Sequence, residues 1–504
     1  MSTADTTEWR RTSPLAAVFF LGRIYQTIAQ NAVQSLAPLV AVLFAYEGEL
    51  LWKIIFGTVA FVAVTVALSI VRYWFFRYKI SDDSILIRDG VIEKTQLDIK
   101  FDRIQALNTT QNVLDRALDL VTVKIDTAGS AKQEGYLPAI KSAQASALKE
   151  RIRYERPIAE IAEDSADVEH LEAGRPILNL SKRDMVKIGL SSNRALLFLV
   201  FLGPVIEQFD QKIEESIDEG TVGAVVDVAQ QGVQNGIEFG LLIVVGFLLF
   251  LVAASIVGAF LRYHNFELVA DRESFRSTGG LLTRHEHAVK FAKIQSLLAT
   301  QNPVLRLFGR FRLSAKKASS GKSGGGKHFV VPLCEPRQLP IVAKEVFGNE
   351  FKDLDLRPAA DNFNLISRHY VRSRIILLGI FPALLVTGLM SLAMGFYATM
   401  FLFWIAIVAP CIWIKYRKYG YVATRDGIVL RRGFGGFNVS AFLHRKVQRI
   451  NVTQTLSQKR KGLATIKFYL ASGSLRLPYV DYEMANKLRD YVLYQVESSQ
   501  LTWH

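Results

Sequence analysis

From Ile375 to Ile414 the chain runs 40 residues without one charged side chain. A segment that apolar belongs in hydrocarbon, where backbone N–H and C=O groups find no water and must pair among themselves, as in a helix. About 20 helical residues cross a bilayer core of about 30 Å, so this run is two spans joined by a turn, placed at Met394-Gly395-Phe396-Tyr397. Uncharged runs from Phe239 to Leu261 and from Ile54 to Val71 predict two more spans. Two weaker ones complete three hairpins. One covers Asn31 to Tyr46, preceded by a helix from Leu15 to Gln30 that starts at Ser13 and Pro14 and is expected to lie at the membrane interface. The other is centred on Ala195 to Ile206, with Arg194 reaching back to the interface.

Half of the residues are hydrophobic, yet 21% are charged and the net charge is +15. The two classes are segregated. Arg10, Arg11, Arg72, Arg77, Lys79, Lys182, Arg183, Lys187, Arg262, Arg368, Arg372, Arg374, Lys415, Arg417 and Lys418 gather at one side of the spans. The other side has Glu47, Glu49 and the segment Glu207 to Ile237, with seven carboxylates against one lysine. The positive-inside rule then puts both termini and every large polar segment in the cytoplasm. Because the bases hug the spans, anionic lipid headgroups are the expected counter-charge, and no nucleic-acid partner is expected. No cleavable signal peptide is recognisable at the N-terminus. Cys334 and Cys411 are isolated, which excludes a disulfide framework or a cysteine zinc site.

The three cytoplasmic segments are copies of one unit. Gly90, Gln105 and Gln111 recur as Gly280, Gln295 and Gln301 and again as Gly433, Gln448 and Gln454, with no gap. An apolar residue (Ile104, Ile294, Val447) and a base (Arg103, Lys293, Lys446) precede the first glutamine, and Asp119, Gly309 and Gly462 follow the second at the same distance. Alternating runs around the glycine predict a hairpin. Further strands follow, then a proline (Pro138, Pro332, Pro478) and a C-terminal helix. The expected layout is a membrane segment 1–71, domain 72–155, linker 156–188, hairpin 189–261, domain 262–352, linker 353–373, hairpin 374–414 and domain 415–499. A structural role at a strand end or barrel closure is expected for the repeated glutamines.

Gly321 to Lys327 spells the G-x-x-x-x-G-K of a phosphate-binding loop, but His328 stands where a hydroxyl residue belongs and the strand-like run "HFVVPL" follows. Phosphate binding needs a helix there, so the segment is read as a hairpin tip. Its lysines Lys316, Lys317, Lys322 and Lys327, with Arg72, Arg77, Lys415, Arg417 and Lys418, are the candidate headgroup contacts. His285 and His287 flank Glu286 on a strand, but no third metal ligand stands at a useful spacing. Pro204 and Pro382 mark expected kinks, and neither span carries a mid-depth carboxylate, lysine or histidine for an ion path. No catalytic set, cofactor fingerprint or metal site stands out, and a non-enzymatic protein is expected.

A sheet unit closed by a C-terminal helix, three times over and each time behind a helical hairpin, resembles the bacterial pleckstrin-homology-like membrane proteins of the YdbS/YdbT type. The residues that carry the resemblance are Ile104-Gln105, Ile294-Gln295 and Val447-Gln448, then Thr110-Gln111-Asn112 and Thr300-Gln301-Asn302, with "LRLFG" at Leu305 to Gly309. The third copy departs, with Thr453-Gln454-Thr455 and no "LRLFG". The likeness covers nearly the whole chain and is to the larger, three-domain kind. It implies membrane helical hairpins plus three α+β pleckstrin-homology-like domains, each a partly open barrel with a helix plugging one end. It also implies a smaller single-domain partner of the same type and an envelope role, including resistance to membrane-active peptides. It implies no catalytic residue. A scaffold that assembles a membrane complex is one reading. Transport or handling of lipid or amphipathic peptide, with Gln26, Gln30 and Asn31 lining a groove, is the other.

Overall fold

The computed structural model describes residues 9–30, 50–91, 94–127, 135–154, 175–192, 245–318, 328–351, 354–357 and 363–498. The expected spans Asn31–Tyr46 and Ala195–Ile206, the acidic segment 210–236, and Lys322 and Lys327 lie outside these residues. The chain divides into two compact units, residues 1–173 with 282–288, and residues 174–281 with 289–504.

In the first unit, β1 (Arg77–Ile80), β2 (Ser84–Asp89) and β3 (Thr95–Lys100) form an antiparallel sheet in that order. Gly90, at φ 112°, takes the turn position that favours glycine. A 3-10 turn at Phe101–Arg103 redirects the chain into β4 (Ile104–Gln111), which pairs with β5 (Leu120–Thr127) and then β6 (Gly135–Lys141). Helix Ser142–Tyr154 follows and buries Ala145, Leu148 and Ile152 in the core with Phe76, Tyr78, Ile85, Ile125 and Leu137. Pro138 interrupts the β5–β6 register, which shifts at Val121/Val123, and Ala139 beside it has φ 49°. Proline lacks the ladder donor, so it is found at such a bulge.

The second unit carries the other two copies on the same plan. One has β8 (Glu267–Ala270), β9 (Ser274–Gly279), β11 (Ile294–Gln301), β12 (Phe311–Lys317), β13 (Phe329–Cys334) and helix Gln338–Phe347, with β10 (Arg284–Lys290) leading into β11. The other has β15 (Gly420–Ala423), β16 (Gly427–Arg432), β17 (Phe437–Leu443), β18 (Val447–Thr453), β19 (Leu463–Leu470), β20 (Gly473–Asp481) and helix Tyr482–Ser498. Strands flank the glycine-rich segment on both sides, β12 pairing with β13 at Ser314↔Val330 and Ala315↔Phe329. No helix follows it to receive a phosphate.

The expected linkers are partly structured. β7 (Arg175–Asn179) pairs with β8, and β14 (Asn364–Leu365) with β15. In the first unit Arg10 makes the same contact with Tyr78 of β1. Short strands around a proline such as "RPILN" carry too little periodicity to stand out in a sequence.

Among the described residues, Ile55–Phe75, Val245–Tyr263 and His369–Arg417 are long and apolar enough to cross a membrane. Only 11% of the residues in each apolar window are buried. A water-soluble helix this apolar would bury more of its surface, so these side chains face lipid. The last segment folds back on itself through a 3-10 stretch, Gly395–Leu402, and Trp404 Nε1 donates to Leu378 O at 2.9 Å across the two arms. A π-helical turn at Ile375–Ile380 lies directly before Pro382 and absorbs the ring and the missing N–H.

Helix Ala16–Gln30, the helix expected at the membrane interface, packs against a membrane-spanning helix. It runs antiparallel to helix Leu50–Phe75, with Ser69 Oγ donating to Ala17 O at 2.5 Å and Tyr25 Oη 3.4 Å from Thr65 Oγ1. Small and hydroxyl side chains let two apolar helices meet closely, a preference that polar residues at its far end hid. Gly189 makes a similar approach in the second unit, where a Cβ would stand 2.9 Å from Ile256 Cγ1, and Ser255 Oγ donates to Gly189 O at 3.0 Å.

Candidate interaction surfaces

The fourth strand of one copy pairs with the third strand of the next. In the second unit β11 and β17 are antiparallel, with Leu297↔Ala441, Leu298↔Ser440, Ala299↔Val439, Thr300↔Asn438 and Gln301↔Phe437. They sit inside one seven-stranded sheet, ordered β13-β12-β11-β17-β16-β15-β14. Val429, Val439, Ala441 and Leu443 of the third copy enter the same apolar core as Leu297, Leu313, Val331 and Val342 of the second. In the first unit, β4 receives the second copy's Arg284, His285 and Glu286 opposite Gln111, Thr110 and Thr109. The register matches. In both places the second glutamine of the repeat stands opposite the residue four after the repeat glycine.

Side chains reinforce the pairing in the first unit. Thr109 Oγ1 and Lys149 Nζ both donate to Glu286 Oε2, at 2.8 and 2.6 Å, and Asn108 Oδ1 accepts from Ala288 N at 3.0 Å. The Lys149–Glu286 ion pair is part-exposed, so it contributes little beyond fixing geometry. The rings of His285 and His287 stack 5.9 Å apart. Among the described residues no group of three His, Cys, Asp or Glu could hold a metal ion.

The second glutamines act alike. Gln111 Nε2 donates to Leu120 O at 2.9 Å, Gln301 Nε2 to Arg310 O at 3.2 Å and Gln454 Nε2 to Leu463 O at 2.8 Å. Each acceptor directly follows the repeated residue with positive φ, Asp119 at 51°, Gly309 at 59° or Gly462 at 60°. Each glutamine thus binds the carbonyl where the next strand begins. The intervening short helices, Val113–Ala117, Pro303–Leu307 and Leu456–Lys459, were not expected from the sequence. Their signal was present as capping boxes, Asn112 with Asp115 and Thr455 with Gln458, and as Asn302 before Pro303.

The first glutamine position falls at a register shift of the fourth strand in all three copies, at Ile104/Ala106, Ile294/Ser296 and Val447/Arg449. Its surroundings differ. Gln295 is fully buried, whereas Gln448 is exposed. The base before it also has a use. Lys446, 2% exposed, donates from Nζ to Ala292 O of the second copy at 2.7 Å. Burial, and then the charge of Arg445, push its ammonium down to about 8, with Glu350 acting in the other direction. Arg445 pairs with Glu350 at 2.6 Å beside it.

The candidate headgroup bases separate. Arg72 is turned inward, donating to both oxygens of Asp89 at 3.1 and 2.6 Å and to Tyr136 Oη at 3.3 Å, which removes it from that set. Burial alone would raise the Asp89 carboxyl, but hydrogen bonds from Arg72 and Tyr136 and the arginine's charge hold it below the usual range. Lys418 donates to Phe434 O and lies 4.9 Å from the Phe437 ring, whose other cation is Arg306 at 5.6 Å. Burial lowers its ammonium, as burial and Arg432 lower that of Lys316. Arg77 opens β1 with an exposed side chain, Lys415 and Arg417 end the last membrane helix, and Lys317 ends β12.

The family model described as Bacterial PH domain matches residues 20–156, 222–346 and 374–496. The UPF0699 transmembrane protein YdbT of Bacillus subtilis (strain 168) is 24% identical over 425 residues, which is 81% of this chain and 82% of that protein. The UPF0699 transmembrane protein YdbS of the same organism is 30% identical over 82 residues, 16% of this chain and half of that shorter protein. No solved structure gives a significant match.

Proposed function

Because the chain belongs to the bacterial PH domain family, we propose that it is a non-enzymatic scaffold that presents three PH-like domains at the cytoplasmic face of the inner membrane. Three membrane hairpins hold the domains in one layer with both termini cytoplasmic, in the limits 72–155, 262–352 and 415–499. The domains act through protein contacts and assemble an envelope-related complex, with resistance to membrane-active peptides as the physiological setting and a smaller PH-like membrane protein as partner. The observation that supports this most is the β11–β17 junction, where one domain's sheet edge holds another domain through main-chain pairing and a shared core. The excess of Arg and Lys at the span ends supports the orientation. The existence of YdbS as a smaller relative supports the choice of partner. Lys316, Lys317, Lys322, Lys327, Arg77, Lys415, Arg417 and Lys418 remain the bases assigned to anionic headgroups.

The test is gentle purification of the tagged full chain from its native membrane, with mass spectrometry of co-purifying proteins and lipids. A stoichiometric small PH-like membrane protein without an enriched lipid is the expected result. A selectively retained lipid or peptide and no protein partner would overturn the scaffold in favour of lipid or amphipathic-peptide handling by the transmembrane bundle.

A further inference from the structure

The strand-four to strand-three junction occurs twice within the chain, yet each copy carries both edges. Among the described residues two edges are left over. β3, the third strand of the first copy, pairs on one side only, with β2, and β18, the fourth strand of the third copy, pairs on one side only, with β19. The edges are of opposite kinds, so a third junction of the same type needs one of each.

At the β11–β17 junction the paired strands are more deeply buried than the open edges, whereas the paired β10, with one of seven residues buried, is as exposed as β3. In β11, six of eight residues are buried, whereas in β18, its counterpart, one of seven is. β17 has five of seven buried, and β3, its counterpart, one of six. At matching positions Gln295 is buried and Gln448 exposed. β18 also carries a single charge, Arg449, which is not how an isolated edge strand is normally protected.

We infer that β18 of one molecule pairs with β3 of a second copy of this chain, joining molecules head to tail through the junction already used within each. A heterologous contact of this kind closes into a ring or continues as a linear array, according to the rotation it imposes. The register follows from the repeat. Thr300↔Asn438 and Thr110↔His285 correspond to Thr453 opposite Thr95, and the neighbouring pair is Val452 opposite Gln96. The ladder supplies main-chain hydrogen bonds, as strand addition does elsewhere. This specifies a contact that the scaffold reading leaves open and rests on that reading only in taking the domains to act through protein contacts.

Thr95→Cys and Thr453→Cys are introduced into separate, differently tagged full-length chains, which are co-expressed and oxidised in their native membranes. One cysteine per edge means that only contact between molecules links the two tags through these positions. Gln96→Cys with Val452→Cys serves as a second pair, Thr95→Cys with Arg449→Cys as an out-of-register control, and the unsubstituted chains as background. Thr300→Cys with Asn438→Cys in one chain is the positive control for the existing junction. The expected result is a reducible dimer carrying both tags for the two in-register pairs, at least tenfold above the out-of-register control. No such dimer, with the positive control linked, overturns the inference. So does linkage of either edge to a different protein, or a Thr95→Cys/Thr453→Cys double variant that links only within itself. Each of these leaves the scaffold to be judged by its own co-purification, so the two failures are distinguishable.

Discussion

Lys446 is a charge held in a place that disfavours it. It is 2% exposed, and among the described residues its hydrogen-bond partner is the Ala292 carbonyl at 2.7 Å. An ammonium at about 8 in the fold against 10.5 ordinarily, at about 1.36 kcal/mol per pH unit, sets the cost of keeping it charged at roughly 3 kcal/mol. The folded state binds fewer protons than the unfolded state between these two values. Stability from this site therefore rises with pH across that window and is flat below about 8. Lys446→Met removes the charge and also the hydrogen bond, which leaves the Ala292 carbonyl unpaired at about 1–3 kcal/mol. The variant is expected to be equal to or slightly more stable than the natural chain at pH 7. At pH 10.5 it is expected to be less stable, because a neutral amine still donates to Ala292. The assay is thermal unfolding in detergent followed by intrinsic tryptophan fluorescence at pH 7, 8, 9 and 10.5 for both proteins. Other groups titrate equally in both, so only the difference is read. A difference constant over that range would refute the reasoning, as would a variant much less stable already at pH 7.

Three further expectations rest on single contacts. Gln454→Ala strips the Leu463 carbonyl of its partner and should cost about 1–3 kcal/mol, visible as a lowered melting temperature, while an exchange of the exposed Gln448 for Ala should change it little. Asp89→Asn removes the charge and one of the two oxygens that accept from Arg72, and should destabilise the first unit by about 1–3 kcal/mol at pH 7. Since the Asp89 carboxyl is held low, its contribution is present above the usual carboxylate range and lost as pH falls through the lowered value, so the two melting curves should converge in acid. Gly189→Val would drive a side chain into Ile256 and should cost about 1–3 kcal/mol, whereas Gly246→Val, where a Cβ meets nothing within 4 Å, should be neutral; equal effects on melting would contradict the helix contact.

Much of this protein could be read directly from its residues. The uncharged run from Ile375 to Ile414 required helices, because no other open structure satisfies its backbone in hydrocarbon. The repeat of Gly90, Gln105 and Gln111 announced three equivalent units, and the proline before each terminal helix marked the same bulged strand every time. The short capped helices were legible too, in Asn112-x-x-Asp115 and Thr455-x-x-Gln458, although periodicity over so few residues does not reveal them. Tertiary structure alone decided which edges meet. Strand pairing is made by main-chain groups that every residue carries, so the sequence of β11 does not name β17 as its neighbour. The same holds for burial. Gln295 and Gln448 occupy one position of one repeat, yet one is fully buried and the other exposed. Arg72 shows the limit for charge: its place among bases at a span end suggested lipid, and only the approach of Asp89 and Tyr136 turned it inward.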